Sequence, residues 1–395
     1  MKLPNRIKRV EVSAFGLSAG VLKQPAHFAF EYTHDNPVSL TMDYKSEPFN
    51  LGAIHPVFAQ NLPEGYVRRY LHEKLLRHAQ VNDLYLLALQ RDKTIGHLAF
   101  ESGLDLPVIE QLSLDEILTW KGKEALFPQL LERYYLEGVL SGVQPKVMVP
   151  IDKRSAINQD RVIVKTFDDE FDNLTVNEFV CMTAAKDVGL SPPRFWLSDD
   201  KQCFVIERFD INGGEQLAFE DFTVLMGKPS DHKYQSSYEQ LLRAIRLYTK
   251  SQAQVDTGFR YIVFNCLIGN GDAHLKNFAL QYGKGRESIE LTPPYDITHT
   301  PIYETLDNNL ALKMRGTKLF PNKSDLVKLG RDNGVKKPEQ VIEAFAQGIR
   351  DSVEGSDVVG LMAGLKESIQ KSVSAGLSGA TPIKGYSHQK NRKHS

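Results

Sequence analysis

One ten-residue stretch, Gly-Asn-Gly-Asp-Ala-His-Leu-Lys-Asn-Phe at 269–278, constrains the fold more than any other. The apolar run before it, 261–268, is broken only by Asn265 and predicts a buried helix that stops at Gly269. Gly269 and Gly271 then let the backbone turn sharply, and two polar side chains follow five positions apart, Asp272 and Asn277. Further along, Pro293-Pro294-Tyr295-Asp296 sets a second acid after a rigid turn. An Asp, an Asn on the same loop and a later Asp are the parts that phosphoryl transfer needs. One carboxylate orients the attacking hydroxyl, while an amide oxygen and another carboxylate hold the magnesium that neutralises a triphosphate. The spacing Asp-x-x-x-x-Asn alone is matched as well by a polar loop between a helix and a hairpin. Its setting, after an apolar helix, beside two glycines and ahead of Tyr-Asp, favours a phosphotransferase.

At 395 residues the chain exceeds one typical core, so two or more lobes are expected. A formal net charge of -1 gives no global field toward nucleic acid or an anionic membrane. Cys181, Cys203 and Cys266 stand singly in apolar surroundings and read as buried reduced thiols, with no disulfide or zinc pattern. No apolar run approaches the roughly 20 residues that span a bilayer. The charged start lacks the apolar core of a secretory signal. The expectation is a cytoplasmic protein.

Period-two alternation through Val10, Val12, Phe28, Phe30, Tyr32, Leu40 and Met42 predicts short antiparallel strands. A helix after Asn61-Leu62-Pro63-Glu64-Gly65, a second capped by Asp83 and a strand at 97–101 complete an α+β unit in which no residue is expected to be catalytic. The segment 138–146 contains Gly138, Ser141, Gly142, Gln144 and Lys146 ahead of a strand; it fits a phosphate-side loop or a plain hairpin turn. Lys165 comes late in the apolar strand 161–167, where a lysine either snorkels or holds phosphates. The helix expected from Asn177 carries Glu178 at its start, either for the helix dipole or as the partner of Lys165. Glu207, Arg208, Phe209 and Asp210 end a strand that fits an adenine-reading hinge or an edge strand entering a loop. Helical patterning dominates from Phe222 onward, and the tail, 381–395, is basic and expected to be flexible.

Taken together, these segments resemble the HipA family of bacterial kinases. The resemblance rests on Ser-Gly-Val-Gln-Pro-Lys at 141–146, Asn-Glu-Phe-Val-Cys at 177–181, Glu-Arg-Phe-Asp at 207–210, Gly-Asp-Ala-His-Leu-Lys-Asn-Phe at 271–278 and Tyr-Asp at 295–296. It implies an α+β, bilobal, protein-kinase-like fold: an N-terminal module at 1–105, a mixed small lobe at 106–209, a mostly helical large lobe at 210–380 and the tail. It implies ATP and Mg2+ as cofactors. Asp272 would be the catalytic acid group that accepts the hydroxyl proton, with His274 and Lys276 steadying the transferred phosphoryl group. Asn277 and Asp296 would bind the metal. Lys165, supported by Glu178, would hold the ATP phosphates, with Gly142, Gln144 and Lys146 on the phosphate-side loop and Glu207 and Phe209 offering backbone contacts to adenine. Ser141 is the candidate for autophosphorylation, although Val139 stands where a family serine can lie. The resemblance further implies a protein substrate, an aminoacyl-tRNA synthetase, whose phosphorylation stalls translation. The implied partner is a HipB-like helix-turn-helix antitoxin, through which DNA is reached indirectly; no membrane is involved.

Two other classes compete. Small-molecule kinases of the aminoglycoside and choline type use a similar Gly-Asp-x-His loop, but the N-terminal module, Glu-Arg-Phe-Asp and Lys276 argue against them. A catalytically silent scaffold in a repressor complex has no need of Lys165, Asp272, Asn277 and Asp296 together.

Overall fold

Alternating side chains build the first layer. In β1 (Arg9–Ala14) Val10, Val12 and Ala14 are buried while Arg9 and Glu11 face water, the two-residue period of a strand covered on one side. The computed structural model describes residues 4–104, 111–134, 144–151, 161–167 and 170–378. β1 joins β2 (Leu17–Lys23), β3 (Phe28–Tyr32), β4 (Phe49–Gly52) and the later β5 (Leu98–Glu101) in an antiparallel sheet of order β4-β3-β2-β1-β5. Leu40 and Met42 depart from the expected alternation: they lie in a turn closed by a Ser39–Met42 bridge, where the Leu40 N–H is drawn to Glu220 at 2.9 Å. Helices α1 (Pro56–Ala59), α2 (Gly65–Leu75) and α3 (Asp83–Gln90) share this core, with Val67, Leu71 and Leu75 turned inward. Asn82, not Asp83, caps α3, because its side chain accepts the Tyr85 N–H at 2.9 Å while Asp83 turns to Arg68.

After α4 (Leu114–Leu118) and α5 (Leu126–Tyr134) comes a second antiparallel sheet, of order β6-β7-β9-β8. Its strands are β6 (Lys146–Pro150), β7 (Arg161–Lys165), β8 (Phe195–Leu197) and β9 (Phe204–Glu207). Val147, Val149, Val162 and Val164 pack into the N-terminal core, while Met148, Ile163 and Ile206 pack on the opposite side with α6 (Leu174–Asp187). Cover on both faces explains why these strands read as unbroken apolar runs. It also places β9 inside the sheet, between β7 and β8, so the segment ending at Glu207 is no edge strand.

The large lobe opens with a short hairpin, β10 (Ile211–Asn212) and β11 (Glu215–Gln216), then β12 (Ala218–Asp221), α7 (Phe222–Leu225) and α8 (Tyr238–Thr249). Its axis is α9 (Gln252–Ile268), in which Phe259, Ile262, Val263, Phe264 and Leu267 have no exposed surface. A second hairpin, β13 (Ala279–Tyr282) and β14 (Ile289–Leu291), pairs with β12. Then α10 (Lys323–Asp332), α11 (Pro338–Glu354) and α12 (Leu365–Leu377) close around α9. The architecture is α+β and kinase-like, a mixed lobe above a largely helical one. The three cysteines are buried and unpaired. Among the described residues no helix is long and apolar enough to cross a membrane.

A buried polar seam ties the first layer to the rest. Glu220 of β12, fully buried, accepts from Ser39 Oγ (2.6 Å), from the Leu40 N–H (2.9 Å) and from the Tyr282 hydroxyl. Arg208 binds Asp210 through Nε at 2.9 Å and reaches the Thr94 carbonyl at 3.0 Å. Gln60 at the end of α1 donates to the Phe219 carbonyl at 3.0 Å and accepts the Asp221 N–H at 3.3 Å. Buried polar groups satisfied in this way fix one relative placement, because any slip leaves several of them unpaired.

Candidate active site

Gly269 ends α9 in the left-handed conformation, φ 84°, and both its N–H and that of Asn270 bond to the Asn265 carbonyl. Asn270 then organises the turn. Its amide nitrogen donates to Asn265 Oδ1 (2.7 Å) and the Asp296 carbonyl (3.5 Å), and its oxygen accepts the Asp272 N–H (3.1 Å). One buried side chain therefore connects the backbones of the two acids. Gly271 leaves no space for a side chain: a Cβ would stand 2.6 Å from Thr300 Oγ1 and 2.7 Å from the Asn309 carbonyl. Asp296 itself has φ 55°, an uncommon conformation for a residue other than glycine and one that concentrates at functional sites.

The small lobe supplies the opposing charges. Lys146 and Lys165 are direct cross-strand partners in β6 and β7, an arrangement that repels unless acids intervene. They do. Lys165 Nζ lies 2.5 Å from Glu178 Oε1 and also bonds to Asp296 Oδ1, while Lys146 Nζ stands 3.6 Å from Asp296 Oδ2. Glu178 is the fifth residue of α6 and fully buried, not at the helix start as expected, so pairing with Lys165, not the dipole, accounts for it. Burial alone would raise the Asp296 carboxyl, yet Lys146 and Lys165 hold it well below the usual carboxylate range. Burial would likewise lower Lys165, and the carboxylates of Asp296 and Glu178 push it up instead. Lys146, buried and beside Lys165, is pushed down.

Lys146, Lys165 and Asp296 line one cleft of about 630 Å³ between the lobes. Asp272, His274, Lys276 and Asn277 come to it from the turn after α9, and Asp296 from the segment after β14. Gln144, Lys146 and Lys165 form the opposite wall; Lys146 already belongs to β6 and so is part of the sheet, not of a loop. Glu207 and Phe209 line the far end. The Glu207 N–H is spent on the Arg194 carbonyl at 2.9 Å and its carboxylate is gripped by the Arg194 guanidinium at 2.8 Å. Phe209 stacks on Tyr295 with centroids 5.4 Å apart. Glu178 stands behind Lys165 and does not line the cleft. Gly142, Ser141 and the basic tail lie outside the described residues.

The chemistry of the turn is specific. Asp272 opens to solvent along the cleft, burial by the walls nudges its carboxyl upward, and the Tyr234 hydroxyl donates to its Oδ1 at 2.9 Å. The Asn277 side-chain oxygen accepts the His274 N–H at 3.0 Å. His274 is held at about 3 by burial and by Lys233 and Lys276, so its ring is neutral, and its buried Nδ1 has no hydrogen-bond partner among the described residues. A neutral ring can offer the phosphoryl group a hydrogen bond but not a charge. Lys276 Nζ bonds to Glu64 at 2.7 Å and Ser230 Oγ at 3.0 Å.

Sequence reading missed Asn270, Tyr234 and Glu64. Asn270 sits inside the decisive motif and was readable there as an amide between two glycines. Tyr234 and Glu64 carry no local signal, and Glu64 belongs to the module expected to contribute nothing.

Comparison with known proteins converges on one family. The model of the HipA-like C-terminal domain matches residues 138–354, and that of the HipA N-terminal domain matches residues 10–101. The kinase-named protein Y4dM of Sinorhizobium fredii is 29% identical over 305 residues, covering 69% of this chain and 69% of that protein. The serine/threonine-protein kinase toxin HipA of Shewanella oneidensis is 24% identical over 326 residues, 72% of this chain and 75% of the toxin. In the solved complex of the Shewanella oneidensis MR-1 toxin–antitoxin system HipA and HipB with operator DNA, one chain matches with a TM-score of 0.69. That match, at 20% identity, covers 92% of this chain and 96% of the other and shows a shared fold.

Proposed function

This chain belongs to the HipA family, and from that premise we propose that it is an ATP- and Mg2+-dependent serine/threonine protein kinase. The observation that carries the reading is the convergence of Lys165, Glu178 and Asp296 into one charge cluster at the cleft that Asp272 and Asn277 also line. In this reading the residues 1–105, 106–209 and 210–380 serve as module, small lobe and large lobe.

The donor set suits the cofactors. Asp296 and Asn277 offer oxygen ligands to a hard cation, and Mg2+ commonly takes only one or two protein ligands, keeping phosphate and water for the rest. Among the described residues no group of three or more His, Cys, Asp or Glu is placed to hold a metal alone. The Nδ1 of His274, without a partner among the described residues, supports a cleft that receives a polar group. When bound, Mg2+ would neutralise the triphosphate charge. Lys165 and Lys146 would hold phosphate oxygens, with Glu178 keeping Lys165 oriented once Asp296 turns to the metal. Phe209 and Tyr295 would provide an apolar wall for the base. Asp272 would accept a hydrogen bond from the acceptor hydroxyl. A hydroxyl is a far weaker acid than a carboxylic acid, so Asp272 orients the nucleophile first and takes its proton late.

The acceptor would be a serine of a translation component, an aminoacyl-tRNA synthetase, and the consequence growth arrest. A HipB-like antitoxin would neutralise the kinase and carry it to operator DNA. Support for that partner is the shared fold with the HipA chain of a HipA–HipB–DNA complex.

The test is incubation with magnesium and γ-labelled ATP, alone and with cell extract, wild type beside Asp272→Asn. We expect label in one discrete extract protein, reduced about 10²–10⁴-fold in a variant that still folds. Full transfer by Asp272→Asn would remove the base from the mechanism; label only on a small metabolite would move the chain to small-molecule kinases.

A further inference from the structure

Glu64 heads α2 without capping it: its side chain makes no bond to the first turn of its own helix. The carboxylate turns away and lines the cleft, where its Oε1 accepts from Lys276 Nζ at 2.7 Å and from Ser230 Oγ at 2.5 Å. Lys276 Nζ also donates to Ser230 Oγ at 3.0 Å, so the three groups close a triangle. The Lys276 backbone is held as well, since its carbonyl accepts the Tyr295 hydroxyl at 2.8 Å. A lysine ammonium rides on a flexible four-carbon stem, and a point charge of this kind stays in place only where partners fix it. Here the ammonium is met by two distant segments, through Glu64 and Ser230, and the backbone by a third, through Tyr295. The frame behind Glu64 is firm, because Gln60, four positions earlier, donates to the Phe219 carbonyl and accepts the Asp221 N–H, one on each side of Glu220.

Building on the kinase reading, we propose that Glu64 is a positioning residue of the active site: with Ser230 it holds the Lys276 ammonium where the transferred phosphoryl group is met. The N-terminal layer is then a working wall of the catalytic cleft, and the carboxylate acts only through the lysine. Positioning errors near 1 Å can cost on the order of 10²-fold in rate. The effect belongs in the chemical step, because the nucleotide is gripped from the opposite wall by Lys146 and Lys165.

The decisive experiment is a kinetic double-mutant cycle on the full chain. Glu64→Gln should lower kcat by about 10–100-fold while leaving KM for ATP within about twofold. In a Lys276→Met background the same substitution should change kcat no further, since two residues acting as one unit do not add. Ser230→Ala, which leaves the carboxylate in place, should lower kcat by less and serves if Glu64→Gln folds poorly. Losses that multiply across the cycle would overturn the proposal by making Glu64 a structural residue, and a higher kcat in Glu64→Gln would overturn it by making the contact a restraint. Should the wild type transfer no phosphate to any acceptor, it is the kinase reading that falls, and thermal unfolding of the same four proteins still decides the clamp. Non-additive Tm shifts keep it; additive shifts remove it.

Discussion

Two lysine–glutamate pairs bring a lysine to the cleft, and they are built differently. Lys165 and Glu178 come from a strand and the next helix, thirteen residues apart, with side chains 3% and 0% exposed. Lys276 and Glu64 are 212 residues apart, with side chains 10% and 23% exposed. The first pair is a buried ion pair whose charges, among the described residues, meet each other and Asp296. The second is less deeply buried, and both of its side chains keep some exposed surface. Burial therefore makes the inner pair an obligation of the fold and leaves the outer pair available to a task. The inner lysine carries a structural debt; the outer one depends on how two lobes meet.

The sharpest way to break this contrast is to remove each lysine in turn. Lys165→Met should destabilise the protein by about 3–5 kcal/mol, because it strands a fully buried carboxylate, and adding Glu178→Leu should recover most of that loss. Lys276→Met should cost only about 1–2 kcal/mol, as its partners can turn to water. Urea unfolding of the three variants reads both numbers. Equal losses at the two sites would mean that the difference in exposure has no energetic consequence.

Acid separates the pairs next. Burial alone would raise the Glu64 carboxyl, but Lys276 and its hydrogen bond, then Ser230 and Lys233, hold it at about 2, against 4.5 for a free glutamate. A carboxyl depressed on folding contributes stability that is fully present above the unfolded value and is lost as pH falls from about 4.5 through 2. The contribution cannot exceed roughly 3–4 kcal/mol, the product of that shift and 1.36 kcal/mol per unit. We expect the stability gap between wild type and Glu64→Gln to be open at pH 6 and to narrow steadily below pH 4.5. A gap of the same size at pH 3 would show that the carboxylate charge contributes nothing to the fold.

The same contrast governs what was legible beforehand. Residues joined by local geometry announced themselves: a lysine at a strand end, an acid in the following helix, an Asp and an Asn on one turn after an apolar helix. Phe28, Phe30 and Tyr32, or Val341, Ile342, Phe345 and Ile349, follow their periods because burial of one face acts on neighbouring residues. Leu40 and Met42 broke the pattern because a carboxylate 180 residues away, Glu220, takes the Leu40 N–H. Glu64 was invisible for the same reason: its meaning lies in Lys276, and no periodicity links segments that meet only in three dimensions. The start of α6 was misplaced by three residues, 174 for 177, since no capping side chain marks it. Long-range polar contacts, not apolar ones, account for nearly all that the sequence concealed.

The smallest effect concerns the contact between those two classes, the Tyr234 hydroxyl on Asp272. Tyr234 comes from a loop without any motif and meets the most legible residue of the chain, at its Oδ1. Its ring is edge-on to His274, with centroids 5.2 Å apart, and lies near the ammonium groups of Lys233 and Lys318. A hydroxyl donating to a carboxylate favours the charged form, so it opposes the upward push that burial gives Asp272. Tyr234→Phe removes the donor and keeps the ring. The Asp272 carboxyl should then rise, moving the acid limb of kcat/KM to higher pH. At neutral pH the rate should change by less than about fivefold, because one net hydrogen bond contributes only ~1 kcal/mol and water can reach the open side of the cleft. A limb displaced to lower pH would show that the tyrosine had been competing with the acceptor rather than supporting the base. An unmoved limb would place the titrating group elsewhere, and with it the assignment of Asp272.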